Sequence, residues 1–346
     1  MPARIRIGLI GAGANTRSRH IPGFQAIEGV EIVAVCNRSR ESGQRVASEF
    51  GIPQVLDHWE QMLERDDVEA ICIGTWPYLH CPVTCAALEA GKHVLCEARM
   101  AMNAAEARQM YATSQAHPEL VAQLVPSPVG LPVDRFLPEL LADGYVGEIY
   151  EIVVRSLSDH LADPSLPLHW RQRADLSGLN VLALGILNET VQRFFGDTAR
   201  LVAQTHLFIP QRPDPDTGEL RPVELPDHVA VLAEMASGAT AIYHLSGVTR
   251  HAGPNRLEVY GSAGTLHYDL DRTLWGARAG DRELQPIPIP PEKEYDWQVE
   301  EDFIAAIRGE RPVRLTTFAD GVKYMEFTEA VHRSATTGQV VTLPLE

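Results

Sequence analysis

Nowhere does the chain hold the roughly 18–20 consecutive apolar residues that a bilayer-spanning helix needs. Nor has it the short motifs of several common chemistries. There is no Cys-x-x-Cys or Cys–His zinc spacing, no His-Glu-x-x-His, no phosphate-binding lysine loop and no Gly-x-Ser-x-Gly nucleophile elbow. Positive charge is scarce, with 30 Lys and Arg against 46 Asp and Glu and a formal net charge of −16. A field of that sign repels phosphate backbones and anionic lipid, so nucleic acid and membrane surfaces are excluded as expected partners. The opening residues Met1-Pro2-Ala3-Arg4-Ile5-Arg6 run straight into a strand without the layout of a secretion signal. Five cysteines, an odd number, stand at 36, 72, 81, 85 and 96. Cys36, Cys72 and Cys96 fall in apolar strand-like runs, where a free thiol serves as a small buried hydrophobe. A reducing cytoplasmic location is the expectation.

What is present is length and alternation. The chain's 346 residues suffice for two domains with cores of their own. Strand signals at Arg4–Ile10, Ile32–Cys36, Ala70–Thr75, Val94–Glu97 and Leu120–Val125 alternate with helical periods at Ser39–Phe50, Asp57–Glu64 and Tyr78–Ala90, and one opened by Asn103. Asp57 with Glu60 has capping-box spacing, and Gly91 stands where a helix C-cap glycine belongs. Short connections between such units predict a doubly wound parallel α/β sheet over residues 1–124. Residues 125–346 form a second α/β domain, with strands expected at Gly147–Leu157, Arg200–Phe208, His228–Met235, Ala239–Val248, Arg256–Tyr260 and Thr265–Leu270. Their alternation predicts one buried face and a second face available to a partner subunit. Pro210–Pro226 reads as a turn-rich excursion between strands.

The first strand ends in Gly11-Ala12-Gly13-Ala14-Asn15-Thr16. A glycine at position 11 permits the tight turn, and one at position 13 lets backbone approach a pyrophosphate. Thr16 stands where a third small residue is usual. Directly after the first strand of a βαβ array, this turn predicts a dinucleotide site. The second strand ends in Asn37-Arg38, where an acid for the adenosine ribose normally stands. Asn37 can bond a ribose without repelling a 2′-phosphate, and Arg38 can pair with one, which favours NADP over NAD. The plain alternative for Arg38 is a solvated surface charge.

Several segments resemble the glucose–fructose oxidoreductase / inositol dehydrogenase / MocA family. They are Gly11-Ala12-Gly13 with His20, Ile73-Gly74-Thr75-Trp76-Pro77-Tyr78-Leu79-His80, Ala87 to Glu97, and Leu257 to Leu266. Phe303 to Gly309 and Glu329 to Pro344 are similar to that family's closing helices and tail. The resemblance implies an N-terminal Rossmann domain and a C-terminal domain on a large, mostly antiparallel sheet. It also implies a homo-oligomer (dimer or tetramer) and a sugar- or polyol-like small-molecule substrate. It further assigns Glu97 to the cofactor side of the site, with Thr75 and His80 near the nicotinamide loop.

This chain departs from the family pattern at three positions. The usual Glu-Lys-Pro reads Glu97-Ala98-Arg99, so alanine replaces lysine. Aligning Gly185 with the family glycine puts Ala183 at the usual Asp and Leu187 at the usual His. Arginine cannot take a hydroxyl proton, because guanidinium stays charged, but Arg99 can clamp an oxyanion or stabilise developing negative charge. His160 and Glu189 are the remaining acid–base candidates, Glu189 on condition that burial raises its pKa. His169, Trp170, Arg171, Asn180 and Asn188 are substrate-binding candidates. Three functions stay open. The chain is an NAD(P)-dependent oxidoreductase on a carbohydrate, or a lyase, glycosidase or epimerase using bound NAD(P) transiently, or a dinucleotide-binding regulator without turnover. No metal is expected.

Overall fold

A computed structural model describes residues 4–270 and 272–346; Met1, Pro2 and Ala3, read above for a leader, lie outside them. The chain divides into two compact units, residues 1–126 with 298–322 and residues 127–297 with 323–346.

The first unit is the doubly wound sheet. Strands β1 (Ile5–Ile10), β2 (Val30–Cys36), β3 (Gln54–Leu56), β4 (Ala70–Ile73), β5 (His93–Cys96) and β6 (Ala122–Leu124) run in the order β3-β2-β1-β4-β5-β6. Every neighbouring pair is parallel. Because both faces of such a sheet are covered, β4 is buried at every position, the continuous apolar signature of a central parallel strand. Helices α1 (Ile21–Ala26), α2 (Arg40–Phe50), α3 (Glu60–Leu63), α4 (His80–Glu89) and α5 (Ala104–Ala116) make the crossovers. Ser39 caps α2 by accepting the Ser42 amide at 3.2 Å, and Asn103 caps α5 by accepting that of Glu106 at 2.9 Å. Gly91 takes a positive φ of 73° just past α4. The capping box expected at Asp57 and Glu60 does not form. Gln61 Oε1 accepts from the Asp57 and His58 amides instead, at 3.2 Å each, and the helix shortens to Glu60–Leu63.

The second unit holds a nine-stranded mixed sheet. Its helices are α6 (Phe136–Ala142), α7 (Ala174–Ser177) and α8 (Leu184–Phe195). The strands are β7 (Ile149–Leu157), β8 (Thr198–His206), β11 (His228–Met235), β12 (Thr240–Ser246), β13 (Arg256–Gly261), β14 (Gly264–Asp269), β15 (Leu274–Arg278), β16 (Gln285–Pro286) and β17 (Val341–Thr342). They lie in the order β16-β15-β14-β13-β7-β12-β11-β8-β17, antiparallel except where β12 meets β7. Between β8 and β11, β9 (Gln211–Pro213) and β10 (Leu220–Pro222) pair as a separate hairpin. Thus the turn-rich excursion contains two short strands. In β11, Val229, Val231, Ala233 and Met235 are buried while Leu232 is 51% exposed, so one face is core and the other open.

The domain boundary expected at residue 125 needs one correction, since residues 298–322 pack in the first unit. There α9 (Val299–Ile307) supplies Phe303, whose ring meets Phe24 edge-on at 6.4 Å, and Glu300, which bonds His20. Arg308 donates to the Glu28 carbonyl at 2.6 Å. Sequence distance hid this return. Helix α10 (Phe318–Thr337) follows, and from residue 323 the chain belongs to the second unit.

Candidate functional site

In the first unit the candidate residues gather at the carboxyl ends of β1, β2, β4 and β5, the edge where open α/β sheets bind ligands. Gly11 has a φ of 85°, and a Cβ there would stand 2.7 Å from the Gly74 carbonyl carbon and the Thr75 amide nitrogen. Only glycine satisfies both the conformation and the approach. A Cβ on Gly13, by contrast, would meet only the Gly74 oxygen, at 3.8 Å, so the space above this turn is open. The helix that follows leaves its first amides without intrahelical partners, a setting that suits an anion. Ala14 and Asn15 are in that first turn, while Thr16, in the third small-residue position, is buried and bonds the Gly11 carbonyl at 3.3 Å.

Asn37 Oδ1 accepts the Ala12 amide at 2.7 Å, fixing the glycine turn to the end of β2. Beside it the Arg38 guanidinium lies 5.3 Å from the centroid of the Trp76 ring, within cation–π range. Across the sheet, Asn15 Nδ2 donates to Glu97 Oε1, and His20 Nε2 stands 3.0 Å from the same oxygen. Burial favours protonation of Glu97, but the bonds from His20 and Asn15 outweigh it and lower its pKa. His80 is buried between two loops, with Nδ1 2.9 Å from the Arg99 carbonyl and Nε2 3.0 Å from the Thr75 carbonyl. Burial lowers its pKa despite those carbonyls, and a neutral ring can donate to only one of the two oxygens at a time. Arg99 itself is buried, 5% exposed.

In the second unit, His160, His169, Trp170 and Arg171 share the irregular segment after β7. His160 is exposed with Nδ1 2.5 Å from Ser158 Oγ, and burial of its neighbourhood together with the Arg212 charge lowers its pKa. His169 Nδ1 accepts the Arg171 amide at 3.2 Å, and its pKa is lowered by burial and then by the Arg171 charge. The Trp170 indole lies between these neighbours, 5.5 Å from the His169 ring and 4.2 Å from the Arg171 guanidinium. Asn180 is buried and donates to the Ser177 carbonyl at 2.7 Å; Asn188 is buried and donates to Tyr243 Oη at 3.1 Å. Ala183 precedes α8, and Leu187 is buried within it. Glu189 is gripped by Arg193 one turn on, at 2.8 and 2.6 Å from its two oxygens. That pairing ties the carboxylate to a cation of its own helix.

Three groups escaped the sequence reading. Arg193 was legible from its i,i+4 spacing to Glu189. Arg212 was not. It sits fully buried on β9 and donates to the carbonyls of Leu161, Asp163 (2.7 Å) and Leu166 (3.4 Å), clamping the loop that carries His160. Glu300 comes from almost three hundred residues beyond the glycine turn. Among the described residues no group of three or more His, Cys, Asp or Glu is placed to hold a metal ion, and no helix is long and apolar enough to cross a membrane.

Comparison with known proteins follows the same division. Residues 5–123 match the family model described as an oxidoreductase family NAD-binding Rossmann fold, and residues 135–267 match that of the GFO/IDH/MocA C-terminal domain. A 1,5-anhydro-D-fructose reductase from Ensifer adhaerens is 28% identical, the alignment covering 98% of each chain. A levoglucosan dehydrogenase from Pseudarthrobacter phenanthrenivorans is 24% identical, again over 98% of each. The solved structure of a levoglucosan dehydrogenase with NADH and L-sorbose shares the fold, with a TM-score of 0.88 at 23% identity over 99% of each chain.

Proposed function

Because the chain belongs to the GFO/IDH/MocA oxidoreductase family, with its NAD-binding Rossmann fold, we propose that it oxidises or reduces a sugar, polyol or related carbohydrate by NAD(P)-dependent hydride transfer. The observation that carries the reading is the glycine turn, tight at Gly11, open above Gly13 and tied to Asn37 at the end of β2. Those residues fit a dinucleotide: Gly11, Gly13, Ala14 and Asn15 for the pyrophosphate, Asn37 and Arg38 for the adenosine end, Thr75, His80 and Glu97 for the nicotinamide end.

NADP is the preferred form. Asn37 spends its carbonyl on Ala12, which leaves its amide hydrogens for a ribose or phosphate oxygen, and β2 is followed by this amide rather than an acid. Arg38, 5.3 Å from the centroid of the Trp76 ring, supplies the cation. A dinucleotide held there would supply hydride transfer, and the protein must handle the accompanying hydroxyl proton. His160, exposed on the loop clamped by Arg212, is the proposed proton acceptor; burial and the Arg212 charge lower its pKa. Arg99 stabilises oxyanion character on the reacting oxygen. Glu189 acts as a positioning group through Arg193, and Trp170 with His169 and Arg171 presents a polar-rimmed aromatic surface suited to a sugar ring.

The open face of the nine-stranded sheet, with Leu232 exposed among Val202, Ala230 and Ile242, supports assembly as a homo-oligomer. The test of function is a screen of sugars and polyols with NADP and NAD, read as nicotinamide absorbance. Reduction proportional to turnover is expected. Conversion of a substrate that needs the cofactor without net reduction would replace this reading with a transient-cofactor reaction.

A further inference from the structure

His20 closes a π-helical turn (Thr16–His20) that follows directly on the glycine turn, and its ring is fully buried. A carboxylate stands at each of its nitrogens: Glu300 Oε1, from α9, at Nδ1, and Glu97 Oε1, from the end of β5, 3.0 Å from Nε2. A neutral imidazole offers one donor and one acceptor, whereas two flanking carboxylates ask for two donors, so the ring is an imidazolium. Burial alone opposes that charge, but the bonds to Glu300 and Glu97 outweigh it and raise the pKa to about 9.

Glu97 is the group held in place. Its Oε1 also accepts from Asn15 Nδ2, and its Oε2 accepts the Ala98 amide at 3.2 Å. The other ionisable groups whose charges interact with this cluster include His80, Cys72 and Cys96 about Glu97 and Glu301 beside Glu300, with Arg99 two residues along the chain. The strand order places β5 on the opposite side of β1 from β2. A dinucleotide lies across such a sheet with one mononucleotide over each half, so an adenosine end at Asn37 and Arg38 leaves the nicotinamide end to the half that carries Glu97.

We propose that His20 is a positioning residue for the cofactor: clamped between Glu300 and Glu97, it keeps Glu97 ionised and fixed against Asn15, so that the nicotinamide half meets a preset carboxylate. This rests on the dinucleotide reading given above. Replacing the imidazolium by a neutral group leaves two buried carboxylates without their cation, and one of them must then take up a proton near neutral pH. Glu97 becomes protonated or loses its alignment. Removing the Glu300 charge at the same time restores the net charge of the original cluster.

The experiment measures NADH and NADPH dissociation constants by nicotinamide fluorescence from about pH 6 to 10 for the wild type, H20Q and H20Q/E300Q, with circular dichroism as the check on folding. The wild type should bind with constant affinity at neutral pH and weaken as pH rises through about 9. H20Q should bind about tenfold or more weakly at pH 7, with a new titration step near neutrality. H20Q/E300Q should recover to within about threefold of the wild type and lose both steps. A purely structural histidine predicts instead that the double variant binds no better than H20Q. That outcome overturns the proposal, as does H20Q with wild-type affinity and profile. If H20Q does not fold, wild-type affinity unchanged through pH 10 overturns it alone. A wild type that binds neither nucleotide overturns the dinucleotide reading itself, and the proposal with it.

Discussion

Arg38 and Gly74 are the two residues whose replacement separates cofactor choice from scaffold. The Arg38 guanidinium rests on Trp76 at the end of β2, where a charge-assisted bond to a 2′-phosphate is available. Such a bond contributes about 1.5–3 kcal/mol, so Arg38→Ala should weaken NADPH binding roughly ten- to a hundredfold while NADH changes little. Equal losses for both, seen by calorimetry, would return Arg38 to the solvated surface. Gly74 is different in kind: a Cβ there runs into Thr16 Oγ1 and the Gly11 carbonyl, the latter a backbone atom that cannot swing away. Gly74→Ala should cost about 1–3 kcal/mol in urea denaturation through overpacking. His160→Ala belongs to the same scale. As the proposed proton acceptor it should carry about 10²–10⁴-fold of kcat with KM little changed, and a change in KM alone would make it a binding residue.

At the scale of elements, the stable features are those that tie one segment to another. Glu189 and Arg193 lie one turn apart on α8, with Asp134 3.3 Å from the same guanidinium and all three largely buried. Arg193→Met leaves Glu189 buried without its counter-ion, and about 3–5 kcal/mol of stability should go with it. Much of this level was legible in the sequence. Periodicity and glycine placement located β1, β2, β4, β5, α2, α4 and α5 because each is governed by local chemistry, and β11 was placed to the residue. The short strands β3, β9, β10, β16 and β17 were missed, since two or three residues give no period to read, and the five-residue β15 was missed with them. Capping at Asp57 failed for a related reason, as Gln61 reached the same amides. The site was legible where it is local to the glycine turn. It was hidden where Arg212 and Glu300 arrive from distant segments.

For the whole molecule, ionisation and assembly set the expectations. Folding raises the pKa of His20 from 6.5 to about 9. Its contribution to stability is therefore complete below pH 6.5 and lost as pH rises through about 9. Glu97 has its pKa lowered, so its contribution is present above pH 4.5 and lost as pH falls through the folded value. Urea midpoints across pH should thus decline on the alkaline side in the wild type and stay flatter in H20Q/E300Q. On the open sheet face, Leu232→Arg should shift an oligomer toward monomer in sedimentation, whereas an unchanged species would move the interface elsewhere.

The proposed dinucleotide site at Gly11 and Gly13 underlies the functional expectations, and calorimetric titration of the purified protein with NAD, NADH, NADP and NADPH tests it most directly. Saturable binding at one site per chain, tighter for the NADP pair than for the NAD pair, is the predicted result. No binding of any of the four would contradict the account and leave the first unit a Rossmann-shaped scaffold with another role.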